Sequence, residues 1–287
     1  FKIKMDNNKI TIVINTFKSE DKINHCLDSI NPGFKVIVVE NSKNIDFKNQ
    51  IEKKYSNVEC ILTGENLGYA KGNNLGLSKV VSQYALILNP DAMLENDTIN
   101  NFLISADKIK SFSIIGPAKQ DEHETIDNNK EKDNLFEVDH LKGFAMFLNL
   151  EQFHDIGFFD SNFFIYLEEI DLCKRIKKKK RKIYLDKNIK VNHLGGSSHN
   201  KSINFEMELS RNWHWMWSTF YFNKKHYGYF NSLIKVSGKF FSSIIKIVYY
   251  TLISNNVKKK IYFQRFSGLF NSLIGKKSWY RPKIIIN

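Results

Sequence analysis

Four runs in the N-terminal part of the chain are almost continuously apolar and rich in β-branched residues: "KITIVINT" (9–16), "FKVIVVEN" (34–41), "VECILT" (58–63) and "YALILN" (84–89). Continuous rather than alternating apolarity means burial on both faces, which is the environment of a parallel sheet. Between the first two runs Ile23, Cys26, Leu27 and Ile30 recur at i, i+3, i+4 and i+7, with Ser19 placed to cap a helix and Glu20 and Asp21 in its first turn. Ile99, Phe102, Leu103, Ala106 and Ile109 repeat that spacing after the fourth run. Strand alternating with helix predicts a doubly wound α/β layer, its central sheet mostly parallel and flanked by helices. The segment 119–134 is polar without a period and reads as a surface loop, after which "LKGFAMFLN" (141–149) resumes strand character.

Beyond about residue 205 the chain becomes aromatic and basic, through "RNWHWMWSTFYFNKKHYGYF" and "VSGKFFSSIIKIVYYTLI" (236–253). On a helical wheel of 236–253, Lys239 and Lys246 fall together while Phe241, Ile245, Val248 and Leu252 lie opposite. That pattern, flanked by the lysines 258–260, predicts an amphipathic helix lying in a membrane plane; the alternative is a helix packed on the first domain with two snorkelling lysines. The same two lysines argue against a membrane span. Two domains are expected, 1–205 around the sheet and 206–287 as a basic, helical extension.

Charge sharpens this division. Residues 170–287 hold 25 Lys and Arg against 4 Asp and Glu, whereas residues 1–169 carry a net −8, and no acid follows Glu208. The asymmetry points to a polyanionic partner for the second half, either nucleic acid or an anionic membrane surface. An RNP-like strand and a zinc-finger spacing are both missing, so the membrane surface is preferred. Cys26, Cys60 and Cys173 form no CxxC or Cys/His pattern and read as reduced packing thiols of a cytosolic protein. The chain starts at Phe1 rather than Met and reads as part of something longer.

Ligands of open parallel sheets bind beyond the carboxyl ends of the strands, where strand order reverses. Four pieces fall there: "NTFKS" with Thr16 and Phe17, "VENS" with Glu40, "ENLGYAKGNN" (65–74) and "NPDAM" (89–93). In the third, Gly68 and Gly72 let backbone approach a ligand, Asn66, Asn73 and Asn74 both donate and accept, and Lys71 can face phosphate. It has neither the P-loop ending nor GxGxxG, and a tight turn into a helix is the plain alternative. Pro90 stiffens the turn that holds Asp91, a carboxylate suited to a hard divalent cation shared with phosphate oxygens, or to a helix cap. In "YLEEIDLCKR" (166–175) acids precede lysines as a helix dipole favours, and Asp171 and Arg175 form an i, i+4 pair. The apolar approach "GFFDSNFFIYL" would also desolvate Glu168 and Glu169 and raise one of them toward a useful base. His193, in "VNHLGGSS" (191–198), reads as a metal ligand in company with Asp91 and as a structural histidine otherwise.

Taken in order, "IVINTFKS", "VIVVENS", "ENLGYAKGNNLG", "LILNPDA", "LKGFAMFLN", "GFFDSNFFIYLEEIDLCKR" and "VNHLGGSS" resemble the inverting nucleotide-sugar glycosyltransferases of family 2, which have the GT-A fold. The likeness covers about residues 10–200 and is closest to the rhamnosyltransferase-like branch. It implies that Thr16, with Phe17 beside it, and Glu40 hold the nucleotide base and ribose. Asn66, Gly68, Lys71 and Asn74 would belong to the loop closing over the nucleoside. Asn89 and Asp91 occupy the DXD motif, Asp91 as the last acid that binds Mg2+ or Mn2+ on the donor diphosphate, with His193 as a further metal ligand. Glu169 matches the Asp of the "ED" pair that serves as base, with Glu168 beside it.

Three positions depart from the family: Asn89 replaces the first DXD acid, Glu40 the usual Asp, and Glu169 the usual Asp of the base pair, which leaves Glu168 as an alternative base. The resemblance implies metal-dependent transfer of a sugar from a dTDP- or UDP-sugar, rhamnose first, in a single in-line displacement. The acceptor would be a hydroxyl of a saccharide or lipid-linked saccharide at the cytoplasmic face of the cell membrane, with the anionic surface as partner and no nucleic acid. Two alternatives remain: a catalytically inactive scaffold, which the departures at Asn89 and Glu169 allow, and a basic nucleic-acid-binding protein.

Overall fold

The runs read as buried strands form one side of a nine-stranded sheet in a computed structural model that describes residues 7–109, 111–118, 131–132, 134–193 and 203–282. The chain divides into two compact units. One takes in residues up to 67, 71–159 and 169–200; the other takes in 68–70, 160–168 and the chain from 201 onward.

The sheet belongs to the first unit. Its opening elements are β1 (Ile10–Thr16), α1 (Glu20–Asp28), β2 (Lys35–Glu40), α2 (Ile45–Lys54), β3 (Val58–Leu62), α3 (Gly68–Leu77) and β4 (Tyr84–Leu88). The four strands run parallel in the order β3-β2-β1-β4, so strand order reverses beside β1. There follow β5 (Ala92–Leu94), α4 (Thr98–Ile109), β6 (Ile114–Pro117), β7 (Glu131–Lys132), β8 (Leu135–Glu137), β9 (Ala145–Asn149), α5 (Glu168–Lys178), β10 (Ile183–Asp186) and β11 (Val191–His193). β9 inserts antiparallel between β4 and β6, β10 runs parallel to β6, and β8 and β7 complete the edge. β5 and β11 stand apart as a two-stranded antiparallel sheet.

Continuous apolarity becomes two-sided burial: Ile12, Val13 and Ile14 of β1, Val36 to Val39 of β2 and Ala85 to Ile87 of β4 are wholly inaccessible. At the β9 side the filling is aromatic, with the Phe147 ring 5.0 Å from both Tyr84 and Phe102 and 5.9 Å from Phe112. Each such side chain contributes roughly 1.5–3 kcal/mol by leaving water.

Several local expectations change. Ser19 makes no capping hydrogen bond; its hydroxyl donates back to the Phe17 carbonyl at 3.2 Å. The start of α1 therefore relies on Glu20 and Asp21 against the helix dipole. α1 stops at Asp28, where the N–H groups of Ser29 and Ile30 close tight turns onto Cys26 and Leu27, so Ile30 is buried beyond the helix end. The strand read at 141–149 is confined to 145–149. Within the segment read as a loop, Glu131–Lys132 form a short strand, because β8 offers a free edge; residues 119–130 and 133 lie outside the described residues, as do residues 194–198 after His193.

The second unit is built on α6 (Asn204–Tyr227), α7 (Tyr229–Leu252) and α8 (Asn256–Leu273), packed pairwise around Met216, Phe220, Val236 and Leu269. α8 meets α6 most closely at Gly268, where a Cβ would lie 2.1 Å from the Trp213 carbonyl oxygen. The segment 160–168 is fastened to α6: Asp160 accepts from the Tyr221 hydroxyl at 2.9 Å and from Lys225 at 2.7 Å, and Ser218 donates to the Ile165 carbonyl at 2.9 Å. His214 is buried between Tyr280 and Ser278, and burial pushes its pKa down to about 3, so it is a neutral structural histidine. No helix among the described residues is long and apolar enough to cross a membrane.

Candidate active site

Because β1, β2 and β4 are parallel, Thr16, Glu40 and the turn that carries Asp91 all emerge at one edge of the sheet. Thr16 pairs with Glu40 in the β1–β2 register. The Thr16 hydroxyl and both Glu40 carboxylate oxygens are buried without a hydrogen-bond partner. Burial pushes the Glu40 pKa up to about 7, a rise that the nearby Ser42 hydroxyl and Lys18 only partly offset. Asn41, which sequence reasoning passed over, ties this corner together. Its amide donates to the Thr16 carbonyl at 3.1 Å and to Asn15, and its oxygen accepts the Leu67 N–H at 3.2 Å. A polar residue directly after Glu40 at a strand end was the available signal.

Asp91 and His193, about a hundred residues apart in sequence, meet through the small sheet. β5 begins directly after Asp91, and β11 pairs with it so that His193 lies opposite Ala92. The His193 Nε2 is 3.3 Å from Asp91 Oδ1 and 3.5 Å from the Asn89 amide nitrogen. Its ring stacks on Phe144, with centroids 4.7 Å apart and planes 8° apart, and Phe144 also accepts the Asn89 N–H at 2.8 Å. Asp91 is 4% exposed, and its Oδ1 makes no hydrogen bond of proper geometry despite the imidazole beside it.

A buried acceptor left in that state costs about 1–3 kcal/mol, more for a charge. One carboxylate oxygen and one imidazole nitrogen suit a divalent ion such as Mg2+ or Mn2+, with phosphate and water as its remaining ligands. No group of three His, Cys, Asp or Glu side chains that could hold a metal occurs among the described residues. Cys26 donates to the Asn89 carbonyl, and burial together with the Asp91 charge pushes its thiol up, so it supplies no thiolate.

The remaining residues take varied roles. Asn66 and Phe17 are half-buried, and Lys71 is exposed on α3. Asn74 donates to the Phe159 carbonyl at 2.8 Å and accepts its N–H at 3.0 Å, so its amide holds that backbone, a different role from the nucleoside contact expected of it. Gly68, at φ 78°, brings its backbone against Phe164 rather than against open space: a Cβ there would sit 2.4 Å from the Phe164 oxygen, which accepts the Tyr69 N–H at 2.7 Å.

Before Glu168, Tyr166 and Leu167 both hold positive φ, 74° and 68°, a strained approach for side-chain-bearing residues. Glu168 is buried at 3% exposure, and Glu169 is half-buried. Burial raises the Glu169 pKa against the lowering pull of first-turn backbone N–H groups. Asp171 is a structural acid: it holds Arg175 at 2.8 Å, and that guanidinium donates to the carbonyls of Ile156, Gly157 and Phe158.

The description "Glycosyl transferase family 2" fits residues 11–173, more than half of the chain. This chain belongs to glycosyl transferase family 2. Among similar family 2 proteins, the low-salt glycan biosynthesis hexosyltransferase Agl10 of Haloferax volcanii is 28% identical over 193 residues, which are 59% of this chain and 62% of that protein. This chain therefore matches under two thirds of that relative's length. The rhamnosyltransferase WbbL of Escherichia coli is 25% identical over 203 residues, 58% of this chain and 76% of its own length. The fold is GT-A: the mannosyltransferase PcManGT from Pyrobaculum calidifontis, solved with GDP-Man and Mn2+, superposes with a TM-score of 0.60 over 94% of this chain and 88% of its own at 12% identity. The Staphylococcus aureus protein TarS, residues 1–349 with UDP, gives 0.53 over 96% and 94% at 14% identity.

Proposed function

We propose that this family 2 chain transfers a sugar from a nucleotide sugar to an acceptor hydroxyl with inversion. The observation that carries this reading is the Asp91–His193 pair, whose buried carboxylate oxygen lacks a hydrogen-bond partner, at the same sheet edge as the unpartnered polar atoms of Thr16 and Glu40. Thr16 and Glu40 are suited to receive the donor groups of a nucleobase and ribose. Asp91 and His193 would hold Mg2+ or Mn2+, which when bound supplies positive charge against a donor diphosphate. Glu169 takes the proton from the acceptor hydroxyl; burial raises its pKa, which strengthens it as a base. Glu168, buried beside it, is the alternative base.

A dTDP- or UDP-sugar is the proposed donor class and rhamnose the first sugar to test; a relative named as a rhamnosyltransferase supports that choice. The proposed setting is the inner face of the cell membrane. α7 supports it: Phe230, Ile234, Ile245 and Leu252 are 66–80% exposed along one stripe, in a region with no acid after Glu208.

The test is thermal melting with UDP, dTDP and GDP, each with and without Mn2+. A nucleotide at a hundred times its dissociation constant stabilises by about 2.7 kcal/mol. The reading requires a Mn2+-dependent shift with at least one nucleotide that is lost in Asp91→Asn. No shift with any nucleotide would overturn it.

A further inference from the structure

Two consecutive residues ahead of α5 hold left-handed backbone, Tyr166 at φ 74° and Leu167 at φ 68°. Outside glycine, the other left-handed residues among those described stand singly. Lys180 and Ser254 come just past the ends of α5 and α7, where that conformation closes a helix, and Asn134 is of a type that tolerates it. A pair at the start of a helix has no such account, and residues with side chains stay there only when their surroundings force them. We propose that α6 supplies that force, with Ser218 as a positioning residue, and thereby fixes the direction in which Glu168 and Glu169 open α5. The inference rests on the glycosyltransferase reading and adds a residue that acts through the base without touching substrate.

The holding contacts all lie within the second unit. The Ser218 hydroxyl, wholly buried, donates to the Ile165 carbonyl at 2.9 Å, directly before the strained pair. One residue earlier, the Phe164 ring stacks on the His214 imidazole with centroids 4.4 Å apart, and the Arg281 guanidinium lies 3.9 Å from its centroid. The Phe164 carbonyl accepts the Tyr69 N–H at 2.7 Å. Phe163 meets the Tyr221 ring edge-on at 5.0 Å, Asp160 accepts from Tyr221 and Lys225, and Tyr166 meets Trp215 edge-on at 5.5 Å. Of these partners His214, Ser218, Tyr221 and Lys225 are spaced i, i+4, i+7 and i+11, so one face of α6 grips the segment along its length.

Ser218 grips backbone, where its neighbours on that face hold rings or a carboxylate. A serine or threonine inside a helix commonly returns its hydroxyl to the carbonyl one turn back, as Thr219, Ser232 and Ser243 do here at 2.6–2.8 Å. Ser218 reaches out to Ile165 instead. The dihedrals of Tyr166 and Leu167 are the last before α5 begins, so they set where its first side chains point. Misplacing a reacting group by about 1 Å costs up to about 10²-fold in rate, which makes a turn held under strain a sensitive place to act.

The test uses the full chain with Ser218→Ala, Leu167→Gly and the two combined. In leucine-labelled protein the backbone NMR shifts and HN–Hα coupling of Leu167, assigned by their absence from Leu167→Gly, report its φ without any turnover; they should leave the left-handed range in Ser218→Ala. Release of nucleoside diphosphate from dTDP-rhamnose and UDP-glucose reports the base. Ser218→Ala is expected to lower kcat about tenfold to a hundredfold, with KM for the donor within about twofold and the nucleotide-dependent thermal shift unchanged. Leu167→Gly should recover most of that loss in the combined variant, because glycine holds a positive φ without strain and the turn then needs no force. Where Ser218→Ala does not fold, Arg281→Ala, at an exposed residue, should act in the same direction through Phe164. Leu167 staying left-handed without Ser218, an unchanged kcat, or losses that add in the combined variant would overturn the proposal. A wild type with neither turnover nor a nucleotide-dependent shift sinks the glycosyltransferase reading, whereas one that shows both and is matched by Ser218→Ala sinks the positioning role alone.

Discussion

The two units break the ordinary rule of burial in opposite directions. The sheet unit encloses polar atoms without a hydrogen-bond partner of proper geometry: the Thr16 hydroxyl, both oxygens of Glu40, with Ser42 and Lys18 nearby, and Oδ1 of Asp91 beside the His193 imidazole. The helical unit does the reverse, leaving Phe230 80%, Leu252 79% and Ile234 74% exposed. Scattered apolar exposure is normal and needs no account, but a stripe along one helix does. Stability alone would remove both features. On the function proposed above, the unsatisfied buried polar atoms of one unit would serve a small charged ligand and the solvated apolar stripe of the other a membrane surface.

The largest effect that would sharpen this contrast belongs to the base. Glu169→Gln should lower turnover by about 10²–10⁴, the range for losing a general base, and Glu168→Gln by far less. In the wild type the rate should fall as pH drops through a value above the ordinary carboxylate range, because protonation removes the base, and this acid limb should vanish in Glu169→Gln. A full loss in Glu168→Gln with a mild one in Glu169→Gln would exchange the roles of the two acids.

Next is Asp91→Asn, expected to lower turnover by about 10²–10³ while leaving the melting temperature without nucleotide unchanged or higher. A buried carboxylate whose Oδ1 lacks a hydrogen bond of proper geometry should cost the protein without nucleotide at least as much as an amide there. A marked drop in melting temperature would show Asp91 to be structural and would break the comparison on its polar side.

Glu40 tests the same idea through pH. Its folded-state pKa, about 7, lies above the unfolded value, so between the two the native state holds the proton more tightly and stability falls as pH rises through that window. Integrated across it, the loss is at most about 3 kcal/mol. Denaturant titrations from pH 4 to 8 should show this slope in the wild type and its absence in Glu40→Gln; equal slopes would mean that Glu40 is satisfied in solution.

The smallest expected effect lies on the apolar side. Ile245→Asp should weaken retention on anionic vesicles about tenfold, from lost burial and added repulsion, without changing the nucleotide-dependent thermal shift. Unchanged retention would leave the exposed stripe of α7 without a lipid role.

Much of the sheet unit could be read from short range. The four apolar runs became β1 to β4 within a residue or two, and the period at Ile99, Phe102 and Ala106 became the buried face of α4. Smaller misreadings had local causes: Ser19 resembles a cap, yet its hydroxyl found a nearer acceptor in the Phe17 carbonyl. The clasp of Asn74 on Phe159 and the place of Asn41 at the β1–β2 corner depend on partners in other elements. Nothing in the residues around Asn74 points to its clasp, and for Asn41 the local sign is only its place directly after Glu40 at a strand end.

The sequence by itself determined the alternation of strand and helix, the basic aromatic extension, and the ordered motifs that place the chain in family 2, because each is written in the spacing of nearby residues. Tertiary structure alone decided that β11 would lie along β5 and set His193 beside Asp91, that Glu40 would be sealed from water, and that Ser218 of α6 would donate to the Ile165 carbonyl. Those outcomes depend on strand register and on helix faces brought together across long loops. Register and facing are properties of the packed chain, and no local pattern of side chains contains them.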